Sequence, residues 1–405
     1  MRLSAYRLTC VALVAGIFSG AALSDNLSPS AGTNTSSPVQ GASAPGVDPG
    51  VEHLITEIES CKPVKVENIK GAKFARRPEF AASEFYPYDE LKHGKQAKLL
   101  MKVYVDQWGN PRFAHTLAAF PRVQPAPDFL DGALKLVNRI RFVPATVNGK
   151  ATGTWDTMPI NFYDADVAGP MGRLLQQDKW VALLDRANGG DRSSIMLSSY
   201  IAQLVGGESG LTDRATLNLF ANSAFQGSDF DRLRIVRMFS GCGKGSMVEP
   251  WLVDVANAGS PEAKLLWAEE LIDIGDDNLA AKAKALLEEV AGAQDPFLQL
   301  WAAGMLATAP VDAIRDPTFA LRAAEKLNAT TEFAMDPDYR ELLAAALAAN
   351  GQFAKAAKSE REAISRAEVL DWDTAPLKAR LTSYESGKQW RGYLCDCDAL
   401  SAKEY

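Results

Sequence analysis

The hydrophobic pattern of this chain changes character near residue 165, from strands mixed with helix to helical spacing throughout, and the change divides it into two kinds of structure. Before it, Leu99, Met101, Val103 and Val105 alternate with Leu100, Lys102, Tyr104 and Asp106. That period of two turns successive side chains to opposite faces of a strand. From Met171 to about Gly387, apolar residues instead recur at helical spacing, in segments broken by Gly, Pro, Asp and Asn. At 405 residues the chain exceeds what one small core buries, and roughly two to three domains are expected. The sequence predicts an α+β protein, with a small antiparallel sheet and a packed helix followed by an all-α, solenoid-like helical-repeat domain.

Around the strands the turns are marked. Gln107-Trp108-Gly109-Asn110-Pro111 breaks the first strand, and Phe113, His115, Leu117 and Ala119 alternate back to make an antiparallel hairpin. Pro127 and Asp128 open a helix with Asp128 as its N-cap. Phe129, Ala133, Leu136, Val137 and Ile140 form its inward stripe, and Pro144 stops it. Asn148-Gly149 is a tight turn. A last strand, Trp155 to Phe162, sends Asp156, Met158, Ile160 and Phe162 to one side. Pro159 lacks an amide hydrogen and cannot serve a strand paired on both sides, so this strand is expected at an edge. Edges accept extended peptides by strand addition, and the same proline can guard an edge against unwanted pairing. Ahead of the sheet, Val51, Leu54, Ile55 and Ile58 predict a short helix leading to Cys61.

About twelve helices, paired as antiparallel hairpins, are read in the second region, the mark of a stacked repeat. Leu266-Trp267-Ala268 recurs as Leu300-Trp301-Ala302 at an offset of 34. Within Asp338 to Ala367, Tyr339, Leu342, Leu343, Ala346 and Leu347 form one helix face. Phe353, Ala356, Ala363 and Ile364 face back after the Asn350-Gly351 turn. This pair resembles a tetratricopeptide unit, but Glu360 stands where that pattern has an aromatic residue.

The N-terminus reads as a cleavable export signal, residues 1–24. Arg2 and Arg7 flank an apolar run from Leu8 to Leu23, with a cleavage site at Ala22-Leu23-Ser24. Residues 25–50 are rich in Ser, Pro, Gly, Ala and Asn, a linker composition. Retained rather than cleaved, the apolar run would anchor the chain in the inner membrane, facing the periplasm. Export makes Cys61, Cys242, Cys395 and Cys397 disulfide candidates with three possible pairings. One intervening residue makes a Cys395–Cys397 bond strained, so each bonds upstream, or one does and the other stays free. A metal site at this CxC pair lacks further soft ligands nearby. The net charge of −7 argues against a dedicated nucleic-acid binder. Residues 71–163 nevertheless carry 13 Lys/Arg against 8 Asp/Glu, a net of +5.

No catalytic constellation, cofactor site or metal site is read. His53, His93 and His115 neighbour no serine elbow or spaced ligand pair. In Gly241-Cys242-Gly243-Lys244-Gly245-Ser246, Gly245 takes the place a phosphate loop gives to Ser or Thr. Trp267, Trp301, Trp372 and Trp390 are packing residues or groove walls. Asp273 to Asp277 lacks calcium-loop spacing.

Tyr86-Pro87, Val103-Tyr104-Val105-Asp106 with Gly109, Arg141-Phe142-Val143-Pro144-Ala145, Asn148-Gly149-Lys150 and Pro159-Ile160-Asn161-Phe162 occur in an order that resembles the C-terminal domain of the TonB family, over about 77–163. The resemblance implies that Met158, Pro159, Ile160, Asn161 and Phe162 form a partner-binding strand. It also implies a partner such as the N-terminal segment of an outer-membrane transporter. The N-terminus carries no ionisable residue of the kind the family's motor-coupled anchor uses, and a large helical region follows the module. The expectation is therefore an exported, periplasmic, non-enzymatic binding protein. It would capture an extended peptide by strand addition, with neither cofactor nor nucleic acid. The alternatives are an anchored TonB-type energy transducer, or a cell-wall-acting factor or enzyme with its site in the helical groove. The expected divisions are a lead-in at 51–70, the sheet domain at 71–165, the helical domain at 171–390 and a cysteine-bearing tail at 391–405.

Overall fold

The computed structural model of the chain describes residues 48–61, 69–75, 85–93, 95–120, 127–162, 177–205, 209–241, 245–329 and 336–394. The expected signal segment, nearly all of the linker, Tyr163, and Cys242, Cys395 and Cys397 lie outside them. The fold is mixed α+β, mostly helical, with small antiparallel sheets. In chain order its first part is α1 (Pro49–Ser60), β1 (Ile69–Lys70), β2 (Lys73–Phe74), α2 (Tyr88–Lys92), β3 (Ala97–Val105), β4 (Pro111–Phe120), α3 (Pro127–Asn138), β5 (Phe142–Val143), β6 (Ala145–Val147), β7 (Lys150–Thr152) and β8 (Thr154–Phe162). Helices α4 to α15 follow: Gln177–Asn188, Arg192–Val205, Asp213–Phe225, Asp229–Gly241, Glu249–Asn257, Pro261–Ile274, Asp277–Ala291, Pro296–Thr308, Pro317–Asn328, Pro337–Ala349, Phe353–Val369 and Ala375–Glu385.

The main sheet has the order β4-β3-β8, all antiparallel. Asp106 builds the turn between β3 and β4. Its Oδ1 accepts the backbone N–H groups of Trp108 and Asn110, each at 2.9 Å, and its Oδ2 accepts the Asn110 side-chain amide at 2.8 Å. Gly109 in this turn has φ +83°, and a Cβ there would lie 2.0 Å from the Phe142 carbonyl oxygen. Only glycine meets both demands, the left-handed backbone and the close approach. The Asn148-Gly149 turn between β6 and β7 likewise uses two positive φ angles, 52° and 78°, the geometry that suits a two-residue hairpin.

The β3 period puts Leu99, Met101, Val103 and Val105 on one face, opposite Ile160 and Met158 of β8, and α3 covers this face with Phe129, Ala133 and Val137. Two details of α3 differ from expectation. Asp128 sits inside the first turn rather than at the cap, and the helix ends at Asn138, well before Pro144. It stops there because Phe142 and Val143 are drawn into pairing with Phe74 and Lys73 of β2.

The return strand departs more from its predicted alternation. Register shifts interrupt the pairing of β3 and β4 between Leu100 and Met101 and between Lys102 and Tyr104. Phe113 adopts φ 51° at the second irregularity. Such bulges bend a strand and change which side chains face where. Here they send Phe113 and His115 to the face away from α3 and leave Ala118 and Phe120 on it too, while Ala119 packs on the α3 side.

That far face is buried by helices. Phe113 meets Trp301 at 5.4 Å between ring centroids, His115 stacks on Phe297 at 3.9 Å, and Trp155 packs against both. Farther along, Leu100, Ala118 and Phe120 pack with Trp180, Tyr200, Ile201 and Leu204 from α4 and α5. The sheet is thus a middle layer with α3 on one side and the helical region on the other. The lead-in segment splits between them. Val51, Leu54, Ile55 and Ile58 of α1 join the helical core beside Leu217 and Phe220 of α6, and β1 pairs with β6.

From α4 onward each helix packs on the next. Several starts share one device, a capping side chain followed by proline at the first helical position: Ser260-Pro261, Asp295-Pro296, Asp316-Pro317 and Asp336-Pro337. The cap side chain accepts an otherwise unpaired backbone N–H, as Asp295 does from Leu298 at 2.9 Å. The proline costs nothing where no amide hydrogen is needed. Trp267 and Trp301 occupy corresponding places on α9 and α11, and Trp301 donates its indole N–H to Glu269 at 2.8 Å.

Candidate functional site at the edge of the sheet

The two edges of the main sheet are treated differently. Along β4 the helical region occupies outward backbone groups at two positions, Ala119 and Phe113. Ala119 donates its N–H to the Tyr200 hydroxyl at 2.8 Å, and that hydroxyl donates to the Ala119 carbonyl at 2.9 Å. Phe113 donates its N–H to Asp338 Oδ2 at 2.9 Å. No strand can add to β4 without displacing these contacts.

Strand β8 pairs only with β3 among the described residues. Its outward positions follow from two independent observations. Ala119 faces outward and stands opposite Leu99, so Leu99 bonds across to Ile160 and the neighbours of Ile160 face out. The Thr157 N–H also leaves the ladder, donating to Asp156 Oδ1 at 2.8 Å. Trp155, Thr157, Pro159 and Asn161 therefore turn their backbone groups away from β3. Of these, Pro159 has no donor and Thr157 has given its donor away.

The five residues predicted for a binding strand separate accordingly. Ile160 and Phe162 are buried in the core under α3, and Met158 packs at its margin. Pro159 and Asn161 are exposed, with Asn161 retaining an outward N–H. Tyr86 braces the end of the strand. Its ring packs edge-on against Phe162, and its hydroxyl donates to the Lys95 carbonyl.

Beside the sheet lies a buried charged cluster that pattern reading missed. Arg112 of β4 pairs through Nε with Asp338 and through Nη2 with Glu341, both on α13. Glu341 pairs in turn with Arg380 of α15 at 2.7 Å. Burial works against the Arg112 charge, but Asp338, Glu341 and Asp106 outweigh it and raise its pKa. Burial pushes Asp338 up to about 7 despite the guanidinium beside it. Glu360 of α14 is wholly buried, and burial followed by the Glu341 charge holds its carboxyl well above the usual range. Around the cluster, Trp372 donates its indole N–H to the Asn138 carbonyl at 3.0 Å, and the Asp373 N–H reaches Asn110 Oδ1 at 2.8 Å. One signal for it was legible, the carboxylate of Glu360 in an aromatic's place.

The remaining predicted residues do not converge. His53 and His93 are exposed. His115 lies in the sheet–helix interface, where burial lowers its pKa, so the ring is neutral. Lys102 is buried there too, its Nζ 4.7 Å from the Trp155 ring centroid. Among the described residues no group of three or more His, Cys, Asp or Glu is placed to hold a metal ion, and no helix is long and apolar enough to cross a membrane. Cys61 is disulfide-bonded, its partner lying outside the described residues. The chain matches no family model, no curated protein and no solved structure.

Proposed function

We propose that this chain is an exported, non-enzymatic binding protein that captures an extended peptide as an added strand on β8. The single observation carrying this reading is the asymmetry of the edges. The helical region occupies outward backbone groups of β4 at Ala119 and Phe113, whereas β8 has one neighbour, β3, among the described residues. Backbone pairing supplies affinity in this mode and alternate side chains supply selectivity. In this reading the sheet with α3 is a TonB-like module, the helical hairpins form a repeat-type scaffold, and the partner is an extended segment of an envelope protein such as an outer-membrane transporter.

The test must spare the core. Lysine at Ile160 would unfold the module, since that side chain is 4% exposed beneath α3. Asn161→Pro removes one outward donor and leaves the buried face untouched. Peptides selected from a random display library against the full chain are expected to bind Asn161→Pro at least tenfold more weakly, at unchanged Tm. Equal affinity would sink strand addition at β8.

A further inference from the structure

An edge with one neighbour among the described residues that took up other strands would also risk pairing with its own copy, and β8 carries a specific answer to that risk. Antiparallel pairing of β8 with β8 of a second molecule overlaps most fully when the twofold axis passes through Met158, the middle of Thr154–Phe162. Outward residues then meet as Thr157 against Pro159 of the copy at the centre and Trp155 against Asn161 at the ends, and the reverse of each. Each such pair exchanges two N–H···O bonds in a normal ladder. Pro159 has no hydrogen to give, and the Thr157 N–H is held by Asp156 at 2.8 Å. Every bond of both central pairs is lost. A foreign strand in the same place brings its own N–H groups to the Thr157 and Pro159 carbonyls, so half of those bonds survive.

We infer that Asp156 and Pro159 are specificity-determining residues that bar self-pairing of β8 while leaving it open to a donor-bearing strand from another protein. The second half of this statement rests on the binding role proposed above; the first does not. The device depends on symmetry. A donor withheld once is missed twice in a homodimer and only once with a foreign partner. The two residues act differently, one covalently and one through a hydrogen bond, so their effects can be removed separately.

The experiment compares sedimentation of the full chain, Pro159→Val, the double variant Asp156→Ala with Pro159→Val, and the double variant carrying Asn161→Pro. The double variant is expected to self-associate at least tenfold more tightly than the wild-type chain, with Pro159→Val between them. Asn161→Pro should return it to wild-type behaviour. Circular dichroism and Tm confirm that each variant is folded, and Pro159→Val alone carries the test if the double variant is not. Folded variants that associate no more than wild type overturn the inference. Dimerising variants combined with a wild type that selects no peptide would remove the binding role and leave the self-exclusion standing. Monomeric variants combined with peptide binding would do the reverse.

Discussion

Glu360 is wholly buried on α14, and neither carboxyl oxygen has a hydrogen-bond partner among the described residues. An unpaired buried carboxylate is too costly to persist, so the group keeps its proton instead. The sign of the pH effect follows. Above the ordinary value of 4.5 the unfolded chain has released this proton and the folded chain has not. The folded state then binds more protons, and its stability falls as pH rises, by about 1.4 kcal/mol per pH unit until the folded pKa is reached. Glu360→Gln removes that slope. The variant should match wild type in urea denaturation near pH 4.5 and exceed it by about 1 kcal/mol or more at pH 7.5. A difference independent of pH would show that Glu360 is ionised in the fold. Arg112 belongs to the opposite case. Truncating it leaves Asp338 buried without its cation and Glu341 with Arg380 alone, the kind of change that costs about 3–5 kcal/mol.

At the scale of elements, periodicity and turn chemistry gave β3, β4, β8 and α3, and about twelve later helices. Among the described residues twelve are found and β8 lies at an edge; the short strands β1, β2, β5, β6 and β7 carry no period of their own. Local pattern failed where distant segments meet. The shifts in β4 arise because Phe113, His115 and Phe120 must reach α11, α4 and α5, and no local pattern records that demand. Arg112 and Asp338 are 226 residues apart, and an ion pair has no period to betray it. The cysteines show how structure narrows what spacing left open. Cys61 ends α1, and its Sγ lies 3.6 Å from the Met238 carbonyl in the last turn of α7. Cys242 follows that helix directly in sequence, so the bond expected is Cys61–Cys242, stapling α1 to α7. A link across so long a loop stabilises by about 5 kcal/mol at most on the chain-entropy account. Peptide mapping without reduction should recover this pair. Recovery of Cys61 joined to Cys395 or Cys397 would exclude it.

Among the described residues the sheet and the helices that follow it share one core. Tyr104, Phe113 and Trp155 belong to the same continuous core as Trp301, Phe297 and Leu306 of α11. Large side chains of this kind contribute about 1.5–3 kcal/mol each when buried. The sheet therefore draws much of its stability from helices that follow it in sequence. A module of this shape with a solvated outer face would fold alone; this one should not. Residues 69–162 expressed by themselves would bare that aromatic face, and with it Arg112 and the outward groups of β4. The fragment is expected to bind a hydrophobic dye, to associate, and to melt well below the full chain. The full chain should unfold with its sheet and helix signals coincident, as a single cooperative transition. A monomeric fragment with the full chain's Tm would show instead that the shared core is only contact, and that the sheet holds its edge for a partner without help from the helices.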